Sequence, residues 1–73
     1  MKVNYTTHAR TKASEERISR EEITHILRYG RKERGQGNKT LLVDTMRNLC
    51  VIAVSQSKTR WLVITAYRIA NQS

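Results

Sequence analysis

The chain has 73 residues, enough for one small domain, and 38% of them are hydrophobic, which allows a single modest core. It carries 14 lysines and arginines against 6 acidic residues, and this net charge of +8 favours a polyanionic partner such as nucleic acid. No apolar run approaches the roughly 20 residues that cross a bilayer, and no apolar signal segment follows the first methionine, so we expect no membrane partner.

The cysteine and histidine content argues against a metal site. Cys50 is the only cysteine and lies in the apolar run from Leu49 to Val54, which indicates a buried thiol and suits a reducing compartment. One cysteine and two histidines without clustered acids do not make a metal-ligand set. We therefore expect neither a metal nor another cofactor.

The N-terminal residues predict a short strand followed by a helix. Residues 2–5 can form the strand, and Thr6 or Thr7 can cap a helix that runs from His8 through residue 16. The only apolar residues of this helix are Ala9 and Ala13. Two small residues at that spacing allow the helix to lie close to a sheet.

The second helix has the clearest local signal in the sequence. Ser19 and Glu22 fit a capping box, while Ile18 and Ile23 occupy the positions of a hydrophobic staple. Three aliphatic residues form its buried stripe, namely Ile23, Ile26 and Leu27. Gly30 is expected to end the helix in the left-handed conformation.

The C-terminal half predicts an antiparallel meander. Residues 31–39 are charged and contain two glycines, so they form either a flexible loop or, in their first half, an edge strand before a turn. Strand candidates follow at 40–46, 49–56 and 61–69. The connections between them are so short that consecutive strands should pair antiparallel.

Together these elements predict an α+β fold in which two N-terminal helices pack on one face of an antiparallel meander sheet of three to four strands. The other face would stay open to a ligand. Strand alternation places three residues of the last strand toward the helices: Leu62, Ile64 and Ala66. It places five on the open face: Trp61, Val63, Thr65, Tyr67 and Ile69.

Several short motifs resemble a family of small bacterial domains of unknown function. The motifs are Tyr5 to Ala9, then Arg17-Ile18-Ser19 with Ile23, Leu27 and Gly30, and finally Thr65-Ala66-Tyr67. Family members tend to have arginine at the position of Lys12, and often Arg-Gly at the position of Glu16-Arg17.

That family in turn resembles the RelE and barnase group of ribonucleases, many of which are toxins of toxin–antitoxin, colicin or contact-dependent inhibition systems. The resemblance spans nearly the whole chain. It implies a single ribonuclease-like toxin domain over residues 1–73 with a RelE/barnase-like fold.

Metal-independent RNA cleavage needs a base for the ribose 2′-hydroxyl, an acid for the leaving 5′-oxygen, and cations or donors at the phosphate. Imidazole exchanges protons near neutral pH, so His8 is the natural acid or base, whereas His25 is expected to be structural or solvent-facing. Thr65 and Tyr67 can donate hydrogen bonds to the phosphate, and Arg17 completes the predicted catalytic set. Five other residues are candidates for RNA binding: Arg10, Lys12, Arg60, Arg68 and Trp61.

We therefore expect a metal-independent endoribonuclease, either a bacterial toxin or the C-terminal domain of a larger one, that cuts tRNA or mRNA in the cytoplasm by attack of the 2′-hydroxyl. Such an enzyme implies a cognate acidic antitoxin or immunity protein that covers the open sheet face. Two alternatives stay open. The chain can be a non-catalytic RNA- or DNA-binding module, or a basic protein-interaction domain.

Overall fold

The computed structural model describes residues 1–69. Within them the chain forms, in order, β1 (Lys2–Tyr5), α1 (Thr7–Glu15), α2 (Arg20–Tyr29), β2 (Arg31–Arg34), β3 (Lys39–Asp44), β4 (Leu49–Ser57) and β5 (Arg60–Arg68). The α+β class and the two N-terminal helices agree with the prediction. Neither helix in this part of the chain is long and apolar enough to cross a membrane.

The strands form one mixed sheet in the order β1-β5-β4-β3-β2. The strands β3 to β5 pair antiparallel, as the short connections predicted. The strand β2 pairs antiparallel with β3, whereas β1 lies parallel to β5. The sheet thus has five strands rather than three to four, and it is not purely antiparallel. Turn length predicts pairing only between strands that are neighbours in the chain. Two helices and three strands separate β1 from its partner β5.

Both helix starts are fixed by side-chain caps. The Thr6 hydroxyl accepts from the Ala9 N–H at 3.0 Å and donates to the Ile64 carbonyl at 3.0 Å, which ties α1 to β5. The predicted capping box of α2 is present, because the Glu22 N–H donates to the Ser19 hydroxyl and the Ser19 N–H donates to the Glu22 carboxylate, each at 3.1 Å. Each cap satisfies backbone donors that the first helical turn leaves free.

The left-handed residue occurs after α1, not after α2. Gly30 has φ −67° and ψ 157°, an extended conformation, so the predicted left-handed role is wrong. A Cβ atom at Gly30 would lie 2.6 Å from the Ile26 carbonyl oxygen, so glycine provides space there. Arg17 instead has φ 55°, and the next N–H, from Ile18, donates to the Ala13 carbonyl at 2.8 Å. This is the hydrogen bond of a helix end that turns through a left-handed residue.

A single core lies between the helices and one face of the sheet. The helices and the turn between them contribute five buried residues: Ala9, Ile18, Ile23, Ile26 and Leu27. The sheet contributes six more: Leu42, Leu49, Val51, Ala53, Val63 and Ala66. Both helices therefore cover the same face, as predicted, and the opposite face carries no helix.

A β-bulge interrupts β5. Thr65 pairs with Ile52, whereas Val63 pairs with Ala53, the residue that follows Ile52, so that Ile64 has no partner on β4. An extra residue in one strand reverses the side-chain alternation beyond it. The two halves of β5 therefore present residues of opposite parity to the core.

The bulge corrects four of the predicted orientations on β5. Val63 and Ala66 are both fully buried in the core although they are three residues apart, and Trp61 also packs against that core. The predicted open-face positions of Trp61 and Val63 were thus wrong. Leu62 and Ile64 alternate with these core residues and lie on the open face rather than toward the helices.

Candidate functional site

A cavity of about 370 Å³ opens on the face of the sheet opposite the helices, and we call it the open-face cavity. Its floor is aliphatic and consists of Leu41, Ile52 and Ile64, all of them half-buried. Leu41 pairs with Ile52, which pairs with Thr65, so one row of the sheet supplies most of this surface. An uncovered apolar floor of this kind indicates a binding surface rather than a core.

His8 lies at the edge of this cavity, together with Thr65. His8 is the second residue after Thr6, the cap of α1. The Thr6 N–H and hydroxyl donate to the Val63 and Ile64 carbonyls and so fix the start of the helix to β5. The bulge at Ile64 and this cap together bring the helix start beside Thr65. The sequence-predicted pair of His8 and Thr65, distant in the chain, therefore lines one site.

Tyr67 lies on the same face as Thr65, one row further along the sheet, where it pairs with Cys50. Two residues of strand separate Thr65 from Tyr67, a distance of about 7 Å. Tyr67 is 36% exposed and does not line the cavity. Hydrogen bonding with the neighbouring Cys50 thiol and partial burial raise the pKa of the Tyr67 phenol, so it is a weaker acid than an ordinary tyrosine and is protonated at neutral pH.

Arg68, predicted to bind RNA, points to the helix side and is held there. Its guanidinium donates to both carboxylate oxygens of Glu22 at 3.0 and 3.1 Å, and to the carbonyls of Arg17 and Arg47 at 3.1 Å each. Its backbone N–H donates to Glu16. The bond with Arg68 is the main cause that lowers the pKa of Glu22. Arg68 thus fastens α2 to the sheet on the side away from the cavity.

Residues 5–68 match a protein family described as a domain of unknown function, DUF4258. The chain belongs to this family. The resemblance to a family of unknown function is thus confirmed, whereas the further resemblance to RelE and barnase ribonucleases stays a prediction. No curated protein and no solved structure matches the chain.

Five other sequence-predicted residues of this DUF4258 domain do not line the open-face cavity. They are Arg10, Lys12, Arg17, Arg60 and Trp61. Arg10 lines a separate cavity between the helices, and Lys12 lies 3.8 Å from Glu15. Arg17 is exposed at the turn between α1 and α2, and Arg60 is exposed at the start of β5. The predicted catalytic residue Arg17 and four of the predicted RNA-binding residues therefore lie outside the open-face cavity.

The sequence analysis missed Lys39, which is the cation of the open-face cavity, and the turn that precedes it. Residues 31–34 form the edge strand β2, which decides between the two alternatives for this segment. The Gly35 N–H donates to the Lys39 carbonyl at 3.0 Å, and a Cβ at Gly35 would lie 2.9 Å from that oxygen. Gly37 has φ 63°, which favours glycine. Had residues 31–43 been predicted as a hairpin, the two glycines would have pointed to Lys39 at the start of β3.

The groups around the open-face cavity suit an anionic organic ligand. Lys39 supplies a positive charge, Thr65 a hydroxyl, and His8 an imidazole near the N-terminus of α1, where the helix dipole favours anions. Among residues 1–69, no group of three or more potential metal ligands occurs. An imidazole, a hydroxyl and an ammonium group thus line one cavity.

Proposed function

We propose that this DUF4258 domain is a metal-independent endoribonuclease that acts at the open-face cavity. The proposal rests on one observation, that His8, Thr65 and Lys39 line the same cavity above an aliphatic floor. A general base, a hydrogen-bond donor to the phosphate and a cation are three of the groups that cleavage by the 2′-hydroxyl requires. The net charge of +8 adds long-range attraction for RNA.

In the proposed reaction, His8 takes the proton of the ribose 2′-hydroxyl, and the 2′-oxygen attacks the adjacent phosphorus. The bond from phosphorus to the 5′-oxygen breaks and leaves a 2′,3′-cyclic phosphate. The Tyr67 phenol, on the same face of the sheet as Thr65, would donate a proton to the leaving 5′-oxygen, and solvent would later reset both groups. Lys39 and Thr65 would bind the phosphate oxygens as their charge increases. The floor would hold the ribose or base.

The proposal includes a place of action and a partner. The enzyme would act on tRNA or mRNA in the cytoplasm, as a free toxin or as the terminal domain of a larger one. Because such an activity harms its own cell, an acidic antitoxin or immunity protein would cover the basic open face. An acidic surface complements Lys39 and the exposed basic residues of the edge strand β2.

The test is incubation of the purified domain with total RNA in EDTA, followed by mapping of fragment ends. We expect discrete cuts that end in 2′,3′-cyclic phosphate. His8→Ala should lower the rate by about 10²-fold or more, the usual contribution of a general base. His25→Ala is the matched control, because His25 lies on α2 and packs against Tyr29 at a ring-centroid distance of 5.0 Å. Equal cleavage by the His8→Ala protein would contradict the proposal.

A second candidate is a non-catalytic RNA- or DNA-binding module. It is favoured by the position of Tyr67 outside the cavity, which leaves His8 as the only histidine, carboxylate or phenol side chain of residues 1–69 that lines it. Such a module would shift RNA on a gel without cutting it and would tolerate His8→Ala. Its affinity should fall steeply with salt, because binding releases counterions from the nucleic acid.

A further inference from the structure

A second cavity, of about 310 Å³, lies between the two helices at the end of β1. Because Tyr5 and the helices pack on the core side, this inter-helix cavity is on the opposite side of the sheet from the open-face cavity. Its apolar surface consists of Ala13, Ile18 and Ile23. Four polar side chains surround that surface: Tyr5, Arg10, Ser14 and Arg20. The cavity thus combines two cations and two hydroxyls with a small apolar area.

The two arginines of this cavity have no acidic partner among residues 1–69. The four ion pairs of the described chain involve other cations, namely Lys12, Arg31, Arg47 and Arg68. Arg10 and Arg20 therefore keep their guanidinium donors available. Guanidinium groups that converge on one cavity match the oxygens of phosphate, with which they form charge-assisted hydrogen bonds.

The aromatic ring of Tyr5 gives the cavity a flat side. The Arg20 guanidinium carbon lies 5.9 Å from the centroid of that ring, within the range of a cation–π contact. Burial raises the pKa of the Tyr5 phenol, so the hydroxyl remains a donor at neutral pH. A planar ligand can stack beside these two groups, as bases do on aromatic and guanidinium planes.

We propose that the inter-helix cavity binds a nucleoside monophosphate, with its phosphate held by Arg10 and Arg20 and its base laid on the apolar surface beside Tyr5. The volume is at the lower end of the range for ligand pockets, roughly 300–1,000 Å³, which suits one nucleotide rather than two. The proposal does not depend on ribonuclease activity. The nucleotide is either free in solution or the 5′-phosphorylated end of a strand.

The first experiment is an NMR titration of the ¹⁵N-labelled protein with AMP, adenosine and inorganic phosphate at low salt. The 2′-hydroxyl of AMP is not adjacent to its 5′-phosphate. AMP therefore cannot be cleaved by the proposed reaction at the open-face cavity. We expect AMP to shift the amides of Tyr5 and Ser14, and to bind at least about tenfold more tightly than adenosine or phosphate. Equal affinity for phosphate and AMP, or shifts confined to His8 and Thr65, would overturn the proposal.

Three variants with the same loss of charge provide the second experiment. Arg10→Gln and Arg20→Gln should each weaken AMP binding by roughly tenfold, because each removes charge-assisted hydrogen bonds to the phosphate. Arg28→Gln is the control, since Arg28 is exposed on α2 and does not line this cavity. All three positions are exposed, so the spectra should otherwise stay those of the folded protein. A uniform small loss across the three variants would contradict the site.

A third comparison separates the two sources of the nucleotide. Short 2′-deoxy oligonucleotides, which lack the hydroxyl needed for cleavage, are titrated with and without a 5′-phosphate. Tighter binding of the phosphorylated strand, lost in Arg10→Gln, identifies a strand end as the ligand. Binding of AMP without any preference for the phosphorylated strand identifies a free nucleotide.

Discussion

The two faces of the sheet differ sharply although the same strands form both. On the helix face, the row that joins Leu42, Val51 and Ala66 is fully buried. The adjoining row on the other face begins at Leu41, is half-buried and has no helix above it. Burial of apolar area is the main stabilising contribution to folding. The helix face therefore accounts for most of the stability, while the open face leaves apolar surface uncovered within residues 1–69.

Some polar side chains show the same division, although Arg10 and Arg20 on the helix side also lack an acidic partner among residues 1–69. On the helix face, hydrogen bonds fix Arg68 and Glu22. On the open face, the side chains of His8, Lys39 and Thr65 take part in no hydrogen bond within residues 1–69. Polar groups without partners beside an apolar floor are available to a ligand. This difference is the reason for placing the site on the open face.

The largest expected difference in stability is between alanine variants of two adjacent leucines, one on each face of the sheet. Leu42→Ala creates a cavity in the core and should lower the free energy of unfolding by about 2–5 kcal/mol. Leu41→Ala removes a half-buried side chain from the open face and should cost less than about 1.5 kcal/mol, because little apolar burial is lost. Urea denaturation of both variants measures the two values.

The same pair of variants can break the comparison. If Leu41→Ala destabilised the protein as much as Leu42→Ala, the open face would be a second core and not a binding surface. If Leu42→Ala leaves too little folded protein to measure, Leu42→Val provides a milder change in the same place, with a smaller but still clear loss.

Acid should weaken the helix face through Glu22. Its folded pKa lies below its usual value of 4.5, chiefly because of the bond with Arg68, so its full contribution is present above pH 4.5. As the pH falls below that value, the unfolded chain binds the proton first and this stability is lost. The carboxylate and guanidinium are 25% and 33% exposed, so screening by water limits the contribution to about 1 kcal/mol.

Comparison of Glu22→Gln with wild type by urea denaturation at pH 7 and pH 3 measures this contribution. Glutamine can still cap the helix, so the variant removes mainly the ion pair with Arg68. The difference in stability should be present at pH 7 and largely gone at pH 3. Glu21→Gln, which changes the same charge on the exposed side of the helix, should show a smaller difference. A gap that persists at pH 3 would argue against the ion pair.

Elements with strong local signals were predictable from the sequence. The start of α2 was predicted from four residues, Ile18, Ser19, Glu22 and Ile23, because a cap is a contact between near neighbours. The pairing of β1 with β5 was not, because no turn or spacing in the chain records it. The bulge at Ile64 was also missed. One extra residue within an apolar strand leaves no mark in the composition.

Only part of the candidate site was predictable from the sequence. The family resemblance pointed to His8 and Thr65, and the structure brings these two residues to one cavity. Lys39 was missed because its position depends on a turn that the sequence left open between loop and hairpin. Trp61 was assigned to the open face because alternation was extended through the bulge, and it packs against the core instead. Long-range register decides such positions.

The smallest expected effect concerns the turn that links the helices. Arg17 has φ 55°, a left-handed conformation that costs a residue with a Cβ about 1 kcal/mol relative to glycine. Glycine at this position would remove that strain. Arg17→Gly should therefore raise the free energy of unfolding by about 0.5 kcal/mol at most, because the greater chain entropy of unfolded glycine, roughly 0.4–1 kcal/mol, offsets part of the relieved strain.

Arg17 takes part in the helix face through its backbone, because its carbonyl accepts from Arg68 at 3.1 Å and its side chain is exposed. Glycine keeps that carbonyl, so the contact with Arg68 should survive. Thermal unfolding of Arg17→Gly beside Arg17→Ala tests the reasoning, since alanine removes the side chain but keeps the Cβ and should gain nothing. Equal gains in both variants would assign the effect to loss of positive charge, whereas a gain in glycine alone assigns it to the backbone.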